Sequence, residues 1–121
     1  GATTVWEEFD PSLTGDEHYA MYGKKYDKSL CHAWGAAPIY LLGRFFMGVY
    51  PTSPGFETFS VKPHLGGFGF IEGSVPINGG EVKIKLDGNS LSVTATKGGG
   101  TLSINGKDYT LKKDKELTLE I

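Results

Sequence analysis

Cysteine occurs once, as Cys31. A single thiol cannot close an internal disulfide and has no partner cysteines for a zinc site, so it leaves the cellular compartment unread. As a residue type it is most simply a small buried hydrophobe. Charge of one sign is missing too: 12 Lys and Arg stand against 14 Asp and Glu, a net charge of -2. The lysines are interspersed with acids, which argues against a nucleic-acid partner and against binding to an anionic membrane. Long apolar runs are also lacking. The most apolar stretch, residues 36–50, is broken by Pro38, Gly43 and Arg44 and is too short to span a bilayer, so a soluble chain is expected. No charged segment leads into an apolar one at the start. The first residue is Gly rather than Met, compatible with a processed or excised segment, and any targeting signal would lie upstream.

What is present is unevenly spread. A length of 121 residues suits one ordinary domain. Yet Trp6, Trp34, His18, His32 and Cys31 all fall early, whereas the last third is built from Lys, Gly, Thr, Leu, Ile and Val. Two pieces are expected, residues 1–48 and residues 49–121.

In the first piece, Thr4 and Glu7 have the spacing of a capping box and predict a short helix within residues 3–9. Residues 10–29 carry Pro, Gly, Asp and Ser without a period and predict a long loop, with a helical turn around 17–22. From Cys31 onward, Trp34, Ala37, Leu41, Phe45 and Gly48 recur at helical spacing, with Ser29 available as a cap. Pro38 fits the first turn of a helix starting near Ala36, or kinks a longer one. Tyr40, Leu41, Leu42, Phe45, Phe46 and Met47 surround this helix with apolar side chains, and a helix apolar all round is a buried one. Nothing else in the sequence is helical enough to bury it, so the cover is expected from another chain or from the rest of a longer polypeptide.

In the second piece, short runs at 57–62, 68–77, 81–86, 90–96, 101–104, 109–111 and 116–121 are separated by turn residues. Val82, Ile84 and Leu86 alternate with Glu81, Lys83 and Lys85, the pattern of a half-buried antiparallel strand. Asn78-Gly79, Gly88-Asn89 and Asn105-Gly106 supply the left-handed positions that tight hairpins need. An antiparallel β-sandwich is expected.

The acids and lysines of the second piece sit at turns or at alternating exposed positions, as on a solvated face. The first piece differs, because Trp6, Glu7, Glu8, Asp10, His32 and Trp34 cluster near the expected helix starts. Aromatic platforms with a few carboxylates and imidazoles are the usual ingredients of a sugar pocket. Taken singly, Glu7 reads as a helix cap and Trp34 as core. No metal-ligand spacing, phosphate loop or Ser-His-Asp pattern is evident, and no cofactor is called for.

Together, GATTVWEEFD and, some twenty residues later, SLCHAWGAAPIYLLGRFFMGVYPTSPGFETFSVKPHLGG closely resemble the C-terminal part of the bacterial α-L-rhamnosidases and their six-hairpin glycosidase relatives. The resemblance runs from Gly1 to about Leu86 and is architectural beyond it. It implies an α+β fragment: the last helices of an (α/α)6 barrel, followed by the β-sandwich. It implies Glu7 as general base of an inverting hydrolysis and His32 as a sugar-binding residue, with Trp6 and Trp34 at motif positions beside the substrate. The substrate implied is a rhamnoside or related carbohydrate. The partner implied is the remainder of the parent catalytic domain, whose earlier segments would supply the general acid, so the chain alone is expected to be inactive. The alternative is a non-catalytic carbohydrate-binding or accessory module.

Overall fold

The computed structural model describes residues 4–121 and divides the chain into two compact units, Gly1–Tyr40 and Leu41–Ile121. Gly1 to Thr3, the start of the GATT motif and of the expected first helix, lie outside the described residues.

The (α/α)6 expectation is overturned. Among the described residues there is no helical hairpin, and the structure is mostly β. Residues 4–14 form no helix, so the expected capping box does not exist. Instead the Thr4 hydroxyl donates to the Leu30 carbonyl, and residues 4–7 run alongside 29–32. A 3-10 turn, Gly15–Tyr19, stands in the loop.

The longest helical run changes hydrogen-bond type twice. It opens as a 3-10 segment, Ala33–Ala36, becomes α over Ala37–Leu41 and closes as a π turn, Leu42–Phe46. The first change has a covalent cause. An α-helical bond to the Trp34 carbonyl would need the N–H that Pro38 lacks, and the Ala37 N–H takes that carbonyl instead. The last turn closes through the Met47 N–H on the Leu42 carbonyl at 2.8 Å. Ser29 is not the cap; His32 holds that position, without a side-chain capping bond. Nor is the run buried within this chain: Trp34, Ile39, Tyr40 and Phe45 are all more than half exposed.

The second unit holds eight strands: β1 (Val49–Pro51), β2 (Phe59–Val61), β3 (Phe70–Ile77), β4 (Gly80–Asp87), β5 (Ser90–Ala95), β6 (Gly100–Ile104), β7 (Lys107–Leu111) and β8 (Glu116–Glu120). They form two four-stranded sheets, ordered β1-β2-β6-β7 and β3-β4-β5-β8. The sheets are not purely antiparallel, because β2 pairs parallel with β6, Phe59 opposite Gly100. Alternation does the sorting. Val82, Ile84 and Leu86 of β4 and Leu91, Val93 and Ala95 of β5 turn inward onto Phe59, Val61, Leu102 and Leu111 of the other sheet. Pro76, which cannot donate to a ladder, sits on the edge strand β3.

Two turns show why particular residues are required. Asn105 (φ 50) and Gly106 (φ 73) are both left-handed, the mirror-image turn that matches strand twist, and they join β6 to β7. Gly48 (φ 69) follows the helical run, and a Cβ there would strike the Lys62 carbonyl. The bare backbone lets the Gly48 carbonyl accept the Lys62 N–H at 2.9 Å, which starts the β1–β2 pairing.

Candidate functional site

Glu7 is placed by the backbone on both sides of it. Its N–H donates to the Ser29 carbonyl at 2.9 Å, and two residues earlier the Val5 carbonyl accepts the His32 N–H at 2.7 Å. Gly35 permits this approach, since a Cβ there would lie 2.5 Å from Val5 Cγ1 and 2.7 Å from the Trp6 carbonyl oxygen. The segment Val5–Glu7 is thereby strapped to the stretch that carries His32.

The carboxylate has a donor on each oxygen. The Tyr22 hydroxyl donates to Oε1 at 2.6 Å, and the Ser29 N–H donates to Oε2 at 3.1 Å. Hydrogen bonds to the charged form favour it, and nearby His32 and Lys28 act electrostatically in the same direction. The Tyr22 hydroxyl, then the Ser29 amide, hold the Glu7 pKa below the ordinary glutamate value, against a smaller opposing effect of desolvation. Tyr22 responds reciprocally: its hydrogen bond to the Glu7 carboxylate raises the phenol above its usual range.

Around this pair lie further acids and bases. Lys28 is a buried cation, its side chain 1% exposed, with Nζ 3.4 Å from Glu8 Oε2. Asp10 caps its own turn by accepting from the Ser12 hydroxyl at 2.7 Å and the Ser12 N–H at 2.9 Å, which lowers its pKa. Trp6 is half-buried among rings, 5.9 Å from Tyr19 and 6.4 Å from His18, while Phe9 stacks on the other partner, His18, at 5.9 Å. His32 meets Trp34 edge-on at 6.4 Å, and Trp34 is 85% exposed.

The structure therefore brings Glu7 and His32 into one electrostatic neighbourhood. It sets Trp6 in a ring cluster with His18 and Tyr19 and leaves Trp34 on the surface beside His32. Tyr22, Lys28 and the Ser29 amide are participants that motif reading missed. Tyr22-Gly23 carried a signal, an exposed turn dipeptide between Met21 and Lys24. Lys28 carried none, because its burial depends on tertiary placement. Chemically, the arrangement can keep a carboxylate ionised near neutral pH with lone pairs left for a water or a hydroxyl.

In the second unit two ion pairs form. On the outer face of β3-β4-β5-β8, Lys85 lies 3.9 Å from Glu72 and Lys83 lies 3.1 Å from Glu81. Among the described residues, no three of His, Cys, Asp and Glu gather to hold a metal ion, and no helix is long and apolar enough to cross a membrane.

No family model matches the sequence, and no curated protein matches it. Among solved structures the chain is similar to "Putative kojibiose phosphorylase from human microbiome", at 14% identity and a TM-score of 0.49. The likeness covers 72% of this chain and 11% of that one. The chain thus spans a small part of that structure's length, and a likeness at this level defines neither family nor chemistry.

Proposed function

We propose that this chain contributes a general base, Glu7, to the hydrolysis of a glycoside, with terminal α-L-rhamnosides as the substrate class to which its sequence resemblance points. The observation that carries the reading is the two-donor cradle, in which the Tyr22 hydroxyl and the Ser29 amide each hold one carboxylate oxygen. Inverting hydrolysis needs a carboxylate that stays ionised to deprotonate water, opposite a protonated acid roughly 6.5–9.5 Å away. In this reading the acid and most of the pocket belong to the rest of a longer polypeptide, and the isolated chain does not turn over. Residues 1–48 belong to the catalytic domain and residues 49–121 form an accessory β domain. His32 binds the sugar, and Trp6 and Trp34 complete the wall beside it.

The test is Glu7→Gln in the complete polypeptide, assayed on an aryl α-L-rhamnoside with the product anomer followed by proton NMR. A fall in kcat of about 10²–10⁴ is expected, in line with loss of general-base assistance, with the variant still folded by circular dichroism at the assay temperature and the product anomer inverted in the parent. Near-normal turnover would remove Glu7 from the mechanism. Oligosaccharide binding by this chain alone, insensitive to Glu7→Gln, would instead mark a non-catalytic binding module.

A further inference from the structure

Tyr22 occupies a backbone position that does not suit it. Its φ is 52, followed by Gly23 at φ 78, so two consecutive residues are left-handed. Glycine and asparagine take such a position readily, whereas a larger side chain is crowded by the following carbonyl. The turn is nonetheless well made. Met21 and Lys24 exchange backbone hydrogen bonds of 3.0 and 2.9 Å across it, and the Tyr19 carbonyl accepts the N–H groups of Asp27 and Lys28 at its base. Burial does not account for the tyrosine either, since Tyr22 is 75% exposed. What its side chain does make is the 2.6 Å hydrogen bond from the phenol to Glu7 Oε1. Strained positions held by well-formed surroundings cluster at functional sites.

We propose that Tyr22 is a positioning residue for Glu7: the Tyr22-Gly23 hairpin tip holds the phenol on Oε1 while the Ser29 amide holds Oε2, fixing the carboxylate plane. Each oxygen then keeps a lone pair for an incoming water. In the hydrolytic step the water gives its proton to the Glu7 carboxylate and its oxygen bonds to the anomeric carbon as the glycosidic C–O bond breaks; the leaving oxygen keeps the bonding pair and takes a proton from the general acid, a carboxylic acid supplied by the rest of the polypeptide. Tyr22 keeps its own proton throughout, because a phenol is a far weaker acid than a carboxylic acid. The role in catalysis rests on the reading of Glu7 as a base; the positioning contact does not.

The groups facing the pair are Lys28 and His32 on the Glu7 side, and Asp27 and Glu8 on the Tyr22 side. Tyr22→Phe and Tyr22→Asn change none of those charges, and Tyr22→Asn also relieves the backbone. The Glu7 side-chain carboxyl is titrated by carbon-13 NMR in this chain and in both variants. Its midpoint is expected to rise in both, and in Glu7→Gln the Tyr22 ionisation, read by tyrosinate absorbance, is expected to fall towards the ordinary tyrosine range. A Glu7 midpoint in Tyr22→Phe equal to that of the unaltered chain would overturn the proposal.

In the complete polypeptide, Tyr22→Phe is expected to lower kcat by about tenfold or more, the weight of one hydrogen bond to a charged group, with KM unchanged and the acid limb of the pH profile moved upward. A tyrosine that merely braces the loop would lower the melting temperature and leave kcat and the acid limb in place, which also overturns the proposal. A shifted midpoint beside an active Glu7→Gln enzyme would sink the glycosidase reading while upholding the contact. An unshifted midpoint beside an inactive Glu7→Gln enzyme would do the reverse.

Discussion

Leu91 and Ser92 are neighbours on β5 with opposite fates, and they test the register on which the second unit depends. Leu91 has no solvent exposure and lies between Leu86 of β4 and Leu119 of β8. Ser92 points to the outer face, its hydroxyl 2.9 Å from Thr118 Oγ1. Leu91→Ala removes buried methyl groups in the middle of a sheet whose neighbours cannot collapse freely, so a cost of about 3–5 kcal/mol is expected. A unit of this size has about 4–12 kcal/mol of stability to lose. At about 4–8 °C per kcal/mol the melting temperature should fall by at least about 12 °C. Ser92→Ala should stay within about 0.5 kcal/mol of the parent, as outward substitutions do. Far-UV circular dichroism melts are the suitable assay, because both tryptophans lie in the first unit. If Ser92→Ala cost more than Leu91→Ala, β5 would be one residue out of register, since such a slip exchanges the two faces. If neither variant moved the melt, the two sheets would share no core at this strand.

Three further outcomes follow from the structure. Gly48→Ala should destabilise the second unit by more than about 2 kcal/mol, since it combines a left-handed backbone with a Cβ on the Lys62 carbonyl, and a neutral melt would refute that junction. Glu8→Gln should loosen the first unit more than Lys28→Met does, because the first leaves a buried ammonium without its counter-ion and the second removes the ammonium itself. Hydrogen exchange at the Asp27 and Lys28 amides reads that ordering, and the reverse order would count against the pair. Finally, the Glu7 pKa is lower folded than unfolded, so the contact adds stability above the ordinary glutamate pKa and loses it as pH falls through the folded value. Trp6 fluorescence followed from neutral to acid pH should show that loss, reduced in Glu7→Gln; identical curves would mean the contact is unpopulated.

Which features were legible in the sequence follows from how local each one is. The strands β3, β4 and β5 could be read because their side chains alternate and their turns carry glycine, both decided within a few residues. Strand β1 could not, since Tyr50-Pro51 sits in a proline-marked stretch and becomes a strand by pairing with Ser60 and Phe59. The parallel partnership of β2 and β6 leaves no local trace at all. The helical run misled for a different reason: its apolar spacing is genuine, but the missing Pro38 N–H and the π closure at Met47 break the regular helix that spacing predicts. At the site, spacing alone suggested a cap for Glu7, and resemblance suggested a base. The cradle needed coordinates, because Tyr22 and Ser29 reach Glu7 from across a loop.

The parallel pairing of β2 with β6 also dictates the order in which the second unit can assemble. The hairpins from β3 through β5 close over short turns and can form early, at small cost in loop entropy. Strand β2, by contrast, must wait until that whole meander has been made before β6 arrives to receive it. During synthesis, Phe59 and Val61 therefore emerge well before the partners that bury them. The slow event in folding should be the docking of β2 onto β6, and a chain stopped after β5 would leave the β6-facing edge of β2, paired only with β1, open to its neighbours.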